Sequence, residues 1–163
     1  MRPRTPRTVA APATELDSRR VQALQAIYRY WTALVFLALL VQIGAAGYGS
    51  FYAADKSDPG PLTEHQFSHG FNFHDGFGYA VFLIGTVPLL LLALGSRLGR
   101  RRVMMTVALA VLTIIQIVLA WGGESAAIVG IFHPLVAFLL LGLSGRIAFE
   151  AWWGTRRAAA PAV

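Results

Sequence analysis

The chain has 163 residues, of which 56% are hydrophobic and 13% charged, and its mean hydropathy is +0.56. These values exceed what a soluble domain of this length needs to bury, so they indicate a polytopic membrane protein. The formal net charge is +6, but the basic residues flank apolar segments, where they act as topology signals, and no nucleic-acid partner is implied. The absence of cysteine excludes disulfides, thiolate catalysis, iron–sulfur clusters and covalent c-type heme.

The N-terminal residues 1–20, which are rich in Pro, Ala and Arg up to about residue 13, predict a flexible, basic cytoplasmic tail. Thr14 with Asp17 resembles a capping box, so ELDSRRVQALQAIYRYW could run as a cytoplasmic helix directly into the first apolar segment. The first apolar segment, at about 28–51, is long enough to cross a hydrocarbon core of about 30 Å, and it carries Gln42 in its outer half. A cleaved signal peptide is the alternative for this segment, but the apolar run exceeds an ordinary signal core. An outer loop at 52–72 follows it.

This outer loop contains the sequence DPGP, which predicts a turn. The stretch LTEHQFSHGF is typical of a short helix on the membrane surface, with Thr63 as its cap. His65 and His69 are four residues apart and, with Glu64 and Asp75, offer ligands for Zn²⁺ or Cu²⁺. There are three alternatives for these histidines. They could carry protons, they could contact the propionate groups of a bound heme, or they could simply belong to a solvated polar loop.

The second apolar segment, at about 73–95, opens on His74 in FHDGFGYAVFL, with Gly78 one helical turn later. Ionisable side chains are costly inside a bilayer, so a histidine in such a segment marks a functional site by default. Pro88 lies near the middle of the segment and predicts a kink or a loosened turn.

The third and fourth apolar segments repeat this arrangement. The third, at about 103–122, carries Gln116, and the fourth, at about 127–150, carries His133 with Ala137 one turn later. Each half of the chain therefore reads as a Gln helix followed by a His helix, and tandem two-helix units are a common way to build a membrane bundle around a central site. Chance similarity between two apolar hairpins is the alternative.

The basic residues set the predicted topology. Of the 14 Lys and Arg residues, only Lys56 lies on the side of the first outer loop. The positive-inside rule therefore places both termini, including a second tail at 155–163, in the cytoplasm. We expect an all-α, four-helix transmembrane domain at 21–154 in a bacterial cytoplasmic membrane.

The two histidines suit bis-imidazole ligation of heme b. With Arg97 and Arg156 as the cytoplasmic boundary, each lies 23 residues, or about 34 Å of helix, from that end, and equal depth is expected. With Arg146 as the boundary instead, His133 would lie deeper, about 20 Å from that end. Pro134 directly follows His133, so the fourth helix is expected to bend or to begin there. In this interpretation the two glutamines and the two small residues line the heme pocket.

FHDGFGYAVFL and FHPLVAFLL each place a His near the outer start of an even-numbered helix, with a small residue at the fourth position after it. In this they resemble one half of heme A synthase, and the resemblance covers most of residues 28–150. It implies a bundle that ligates heme through His74 and His133, and a catalytic glutamate whose place Glu64, before His69 or His74, could occupy, although the spacing and context are not close. Because this chain has one bundle where that enzyme has two, it is also similar to a small membrane cytochrome b of actinobacterial type.

We therefore expect a membrane protein that binds heme b and transfers electrons to or from a quinone or a larger respiratory complex, alone or as an oligomer. An electron carrier is favoured over an enzyme; if the bundle is catalytic, the resemblance implies a heme-dependent membrane oxidoreductase. The alternative is an accessory subunit without heme that packs against a larger respiratory assembly. A small transporter would need charges within the spans, and these are nearly absent.

Overall fold

The computed structural model describes residues 12–58 and 60–158, and every regular element in this part of the chain is a helix. Four of the helices are long and apolar enough to cross a membrane, which confirms the predicted all-α class and the helix count. In chain order the elements are α1 (Pro12–Lys56), α2 (Glu64–Gly95), α3 (Arg100–Ser125), the short α4 (Ala127–Gly130) and α5 (Phe132–Ala158). Within α2, the segment Val81–Thr86 is π-helical.

The predicted tails fall largely outside the described residues, at 1–11 and 159–163. Where the structure does describe them, they are helical. α1 already begins at Pro12, inside the predicted N-terminal tail, and α5 continues to Ala158, inside the predicted C-terminal one. The long helices therefore extend past the apolar segments at this end of the molecule.

The loop between α1 and α2 is shorter than the predicted 52–72, because helix occupies both of its ends. The predicted cap is present: the Thr63 hydroxyl accepts a hydrogen bond from the Gln66 backbone N–H at 3.2 Å, and Gln66 Oε1 accepts one from the Thr63 N–H at 3.0 Å. This capping box starts α2 at Glu64. The helix then continues unbroken into the apolar segment, so the predicted surface helix is the first part of α2.

α2 continues through Gly70. Because Gly70 has no side chain, α1 can approach α2 closely at this position. A Cβ at Gly70 would lie 2.9 Å from a ring carbon of Tyr52 and 3.3 Å from the carbonyl oxygen of Gly49. A Cβ at Gly49 would in turn lie 2.8 Å from the Phe71 ring. Small residues on both helices thus let α1 and α2 approach closely here.

The four long helices form an up-and-down bundle. Each packs against its neighbours in sequence, and α5 packs against α1 to close the ring, so α1 lies diagonal to α3 and α2 lies diagonal to α5. The described chain ends and the α2–α3 connection, which carries Arg97 and Arg100, share one end of the bundle, here called the arginine end. The α1–α2 connection and α4 lie at the other end, here called the loop end.

The closely packed core lies in the half toward the arginine end. Tyr28 is buried there, and its hydroxyl is hydrogen-bonded across the diagonal to the Thr106 hydroxyl at 2.8 Å. The buried residues around this pair are Thr32, Val35, Leu89, Ala93, Leu109, Ser144, Ile147 and Ala151. Many large apolar side chains are instead exposed on the outer surface, as is typical of helices that face lipid.

The π-helical turn in α2 keeps the two halves of the chain in register. His74 and Val81 match His133 and Leu140 of α5 at an offset of 59 residues, but the buried residues beyond the turn match at 58. Those later pairs are Thr86 with Ser144, Leu89 with Ile147, and Ala93 with Ala151. Because a π-helical turn is wider than an α-helical one, it takes up the one additional residue. The loosened turn expected near Pro88 is this segment.

Candidate functional site

The rings of His74 and His133 meet across the diagonal of the bundle, in the half toward the loop end. Their centres are 6.1 Å apart and their planes are inclined by 67°. α2 begins at Glu64, so His74 lies in its third turn. α5 begins at Phe132, so His133 lies in its first turn. The two side chains thus lie at the same level of the bundle, as equal spacing from the arginines predicts.

Pro134 explains how α5 begins beside the site. It is the third residue of α5, and the first four N–H groups of a helix have no partner within the helix. The missing N–H of proline therefore costs no helical hydrogen bond at this position. Of the two predicted outcomes, a bend or a helix start, the structure shows the start.

Each histidine is oriented by the main chain of the neighbouring Gln helix. His74 Nδ1 lies 3.1 Å from the Gln42 carbonyl oxygen, and His133 Nδ1 lies 3.1 Å from the Gln116 carbonyl oxygen. A carbonyl oxygen can only accept, so Nδ1 carries the proton in both rings and Nε2 holds the lone pair. Metal-ligating histidines are commonly held in this way.

The distance between the rings fits one metal atom between them. An imidazole nitrogen binds zinc at about 2.0–2.1 Å and lies roughly 1 Å from its ring centre, so two imidazoles on opposite sides of one such atom have centres about 6 Å apart. The observed 6.1 Å is compatible with this value, and it is also the spacing of an edge-to-face contact between two rings. Two imidazole nitrogens are a donor set that would hold heme iron.

The two glutamine side chains bring buried oxygen atoms to the same place. Oε1 of Gln42 and Oε1 of Gln116 are both buried and without a hydrogen-bond partner in the described part of the chain. Gln42 Nε2 donates to the His74 carbonyl oxygen at 2.6 Å. A buried unpaired acceptor costs about 1–3 kcal/mol, so two of them at matching positions point to a ligand with polar groups.

A cavity of about 330 Å³ lies beside the histidines. All six residues predicted for the site, namely His74, His133, Gln42, Gln116, Gly78 and Ala137, line it. Each of the four long helices contributes, and its volume is within the range of small-molecule sites. The other lining residues are Leu39, Ile43, Ala46, Asp75, Tyr79, Val81, Thr113, Ile117, Ala120, Trp121, Glu124, Pro134, Phe138 and Leu140.

Gly78 makes room for a glutamine. A Cβ at Gly78 would lie 2.9 Å from Gln42 Nε2, whereas a Cβ at Gly76, also on α2, would meet no atom within 4 Å. The small residue one turn after His74 is therefore needed for the Gln42 amide to reach the His74 carbonyl oxygen. Ala137 occupies the matching position after His133.

Polar groups from four further residues line the cavity although the sequence did not assign them to it, and one of these, Asp75, was expected beside the outer-loop histidines. Trp121 Nε1 donates to the Tyr79 hydroxyl at 3.0 Å, so α3 and α2 are joined beside the cavity. Asp75 and Glu124 also line it, and they are the charged side chains among its described lining residues. The signal that could have found Trp121 is its position at the outer end of an apolar segment, where membrane proteins concentrate tryptophan.

His65 and His69 lie away from this cavity, on exposed turns of α2. Their rings are stacked with centres 6.5 Å apart, and the His69 ring is 5.5 Å from that of Tyr52. No group of three or more His, Asp or Glu side chains converges anywhere in the described residues. The Zn²⁺ or Cu²⁺ site considered for these histidines therefore has no third ligand assembled, and Asp75 lines the central cavity instead.

Comparison of the whole chain with known proteins gives no match: no protein-family model, no curated protein and no solved structure matches it. A four-helix bundle alone hosts many unrelated functions. What the chain does must therefore be inferred from the histidine pair, the glutamines and the cavity between them.

Proposed function

We propose that the four long helices span a bacterial cytoplasmic membrane, with both chain ends in the cytoplasm, and that the bundle binds one heme b through His74 and His133. Membrane placement is supported by the apolar surface of the helices and by the clustering of arginines at one end. On this proposal the protein is a single-bundle membrane cytochrome of the b type.

The observation that carries the heme assignment is the facing pair of imidazoles. Their centres are 6.1 Å apart, and both Nδ1 atoms are directed to backbone carbonyl oxygens. Histidines within apolar spans are rare and mark functional sites by default, although the pairing of both rings with backbone carbonyl oxygens offsets part of their cost. A heme held by these two imidazoles would supply one-electron transfer.

The surrounding residues hold and orient the ligands. The Gln42 and Gln116 carbonyls fix the tautomer and rotation of each ring, and such outer partners raise the basicity of the ligating nitrogen. Gly78 and Ala137 leave room beside the rings. Much of the remaining lining is apolar, and the polarity around a metal site is one of the factors that set its potential.

Electron transfer with a quinone or a larger respiratory complex is the biological role that we favour, because a heme held by His74 and His133 would supply one-electron chemistry. The resemblance of the two histidine segments to one half of heme A synthase favours the same ligand pair. Asp75 and Glu124 also line the cavity, and the role of a heme-dependent oxidoreductase is the alternative.

Optical spectroscopy tests the proposal. The protein is purified in detergent from heme-replete cells, and spectra are recorded before and after reduction by dithionite. We expect Soret and α bands in the parent protein, their loss in His74→Ala and His133→Ala, and unchanged bands in the matched control His69→Ala, whose ring lies outside the cavity. Colourless parent protein recovered from the membrane would contradict heme binding and favour the accessory subunit.

A further inference from the structure

A second cavity lies at the arginine end, between the start of α3 and the last part of α5. Its volume is about 1310 Å³, and it shares no lining residue with the histidine cavity. Four arginines line it, Arg100, Arg101, Arg102 and Arg146, against the single carboxylate of Glu150. The described side chains of this cavity therefore carry three positive charges in excess.

Glu150 contacts three of these four arginines. Arg101 Nη2 and Arg146 Nε each lie 2.8 Å from the same carboxylate oxygen, and Arg102 Nη2 donates to the Glu150 backbone carbonyl at 3.2 Å. Glu150 is mostly buried, at 18% exposure, whereas Arg101 and Arg146 are 66% and 60% exposed. The two guanidinium groups are thus held side by side with N–H groups directed outward. Arginine pairs of this kind suit the oxygens of a phosphate.

The part of the cavity nearer the bundle centre is apolar. Gly142 and Gly145 line it there, and they precede Arg146 on α5, whereas the exposed rings of Phe149 and Trp153 line the cavity farther toward the arginine end. A Cβ at Gly142 would meet no atom within 4 Å, so the backbone there borders open space. Phosphate-binding groups at the membrane surface with an apolar groove below them match the two parts of a phospholipid, not a soluble phosphate.

We propose that this cavity binds one acidic phospholipid of the cytoplasmic leaflet, such as phosphatidylglycerol, with its phosphate on Arg101 and Arg146 and an acyl chain along Gly142. Basic pockets between helices on the cytoplasmic side are typical sites for anionic lipid headgroups. The proposal rests on the membrane placement proposed above, and it does not depend on heme.

The test compares lipids of equal chain length on the detergent-purified protein. Dissociation constants and bound-lipid counts are measured by native mass spectrometry for phosphatidylglycerol, phosphatidylcholine and soluble glycerol phosphate. We expect one tightly bound phosphatidylglycerol in the parent protein, and affinity about 25-fold lower in Arg101→Gln/Arg146→Gln, since each arginine contributes about fivefold. Arg97→Gln is the matched control, because Arg97 is at the same end but pairs with Asp17 at 2.9 Å outside the cavity.

Gly142→Leu keeps the test decisive if the double arginine variant does not fold. The leucine fills the groove without changing any charge, and we expect it to remove phosphatidylglycerol binding while the spectrum of the histidine site stays that of the parent. Equal binding of phosphatidylcholine, equal binding of glycerol phosphate, or an equal loss of affinity in Arg97→Gln would each overturn the proposal. Colourless protein that still binds phosphatidylglycerol selectively would overturn heme binding alone, and protein that stays in solution without detergent would overturn membrane placement.

Discussion

Main-chain carbonyl oxygens orient the two histidine rings. The orientation of the rings therefore does not depend on the glutamine side chains. The His74 and His133 Nδ1 atoms face the carbonyl oxygens of Gln42 and Gln116, which stay in place whatever side chain those positions carry. The glutamine amides act independently, through Oε1 and Nε2. Substitutions at single residues can therefore test the amide, the small residue beside it and the imidazole one at a time.

Replacement of Gly78 by alanine tests the space beside His74. The new methyl group would lie 2.9 Å from Gln42 Nε2, so the amide must leave the His74 carbonyl oxygen to which it donates. We expect heme affinity to fall only about fivefold, since the displaced hydrogen bond is worth about 1 kcal/mol and the Gln42 carbonyl that orients the His74 ring stays in place. Heme titration of the heme-depleted protein measures this. Gly76→Ala is the control on the same helix, and an equal loss there would contradict the explanation.

Replacement of Gln116 by leucine tests the buried oxygen. Without heme, Gln116 Oε1 has no partner among the described residues, so its removal should raise the free energy of unfolding by about 1 kcal/mol. With heme bound, we expect the opposite sign, because the amide then contacts the ligand. Thermal unfolding of the heme-depleted and heme-loaded proteins gives both values. A stabilisation of equal size in both would show that Gln116 has no role toward a ligand.

At the scale of helices, the apolar segments of the sequence predict where the four long helices lie, but they do not predict where those helices begin and end. Hydropathy falls where polar residues begin, but α2 starts at Glu64, since the Thr63 capping box makes the polar turn around His65 helical as well. The two histidines and two glutamines around the cavity were predictable because such residues are rare in apolar segments. Gly78 and Ala137 were predictable as the small residues one turn after each histidine. The arginine cavity was not, because it depends on how α3 and α5 are rotated against each other.

Apart from Pro88, nothing in the sequence indicates the π-helical turn. Its presence in the structure predicts which single-residue deletions the protein tolerates. Deletion of Ile84, which is exposed within that turn, should convert it to an α-helical turn and leave both flanking registers unchanged. Deletion of the exposed Leu139 from α5 should rotate the rest of that helix by about 100° and break the core. Yield of monodisperse protein and the heme spectrum distinguish the two. Equal tolerance of both deletions would contradict the register argument.

At the scale of the whole molecule, the bundle has two unlike halves. The half toward the arginine end is filled by Tyr28, Thr106 and their buried neighbours, whereas the other half surrounds the histidine cavity. The packed half fixes the helices, and the open half can then hold a flat ligand between them. This division also gives the protein two chemically distinct ends, one basic and one that carries Asp75 and Glu124 beside the cavity.

The basic end predicts the orientation in the membrane. Alkaline phosphatase fused after Gly60, in the α1–α2 connection, should be active because the proposed topology places that side outside the cytoplasm. The same reporter fused after Gly154 should be inactive, since the proposed topology places the arginine end in the cytoplasm. Activity of both fusions, or of the Gly154 fusion alone, would reverse or dismiss the proposed topology.

The most direct test of the heme assignment is identification of the axial ligands in the purified, oxidised protein by near-infrared magnetic circular dichroism with low-temperature electron paramagnetic resonance. The facing rings 6.1 Å apart predict a low-spin iron with two imidazole ligands, converted to a high-spin or differently ligated iron when either His74 or His133 is replaced by alanine. A bis-imidazole signal that persists unchanged in both variants, or protein without iron, would contradict the histidine pair as the heme site.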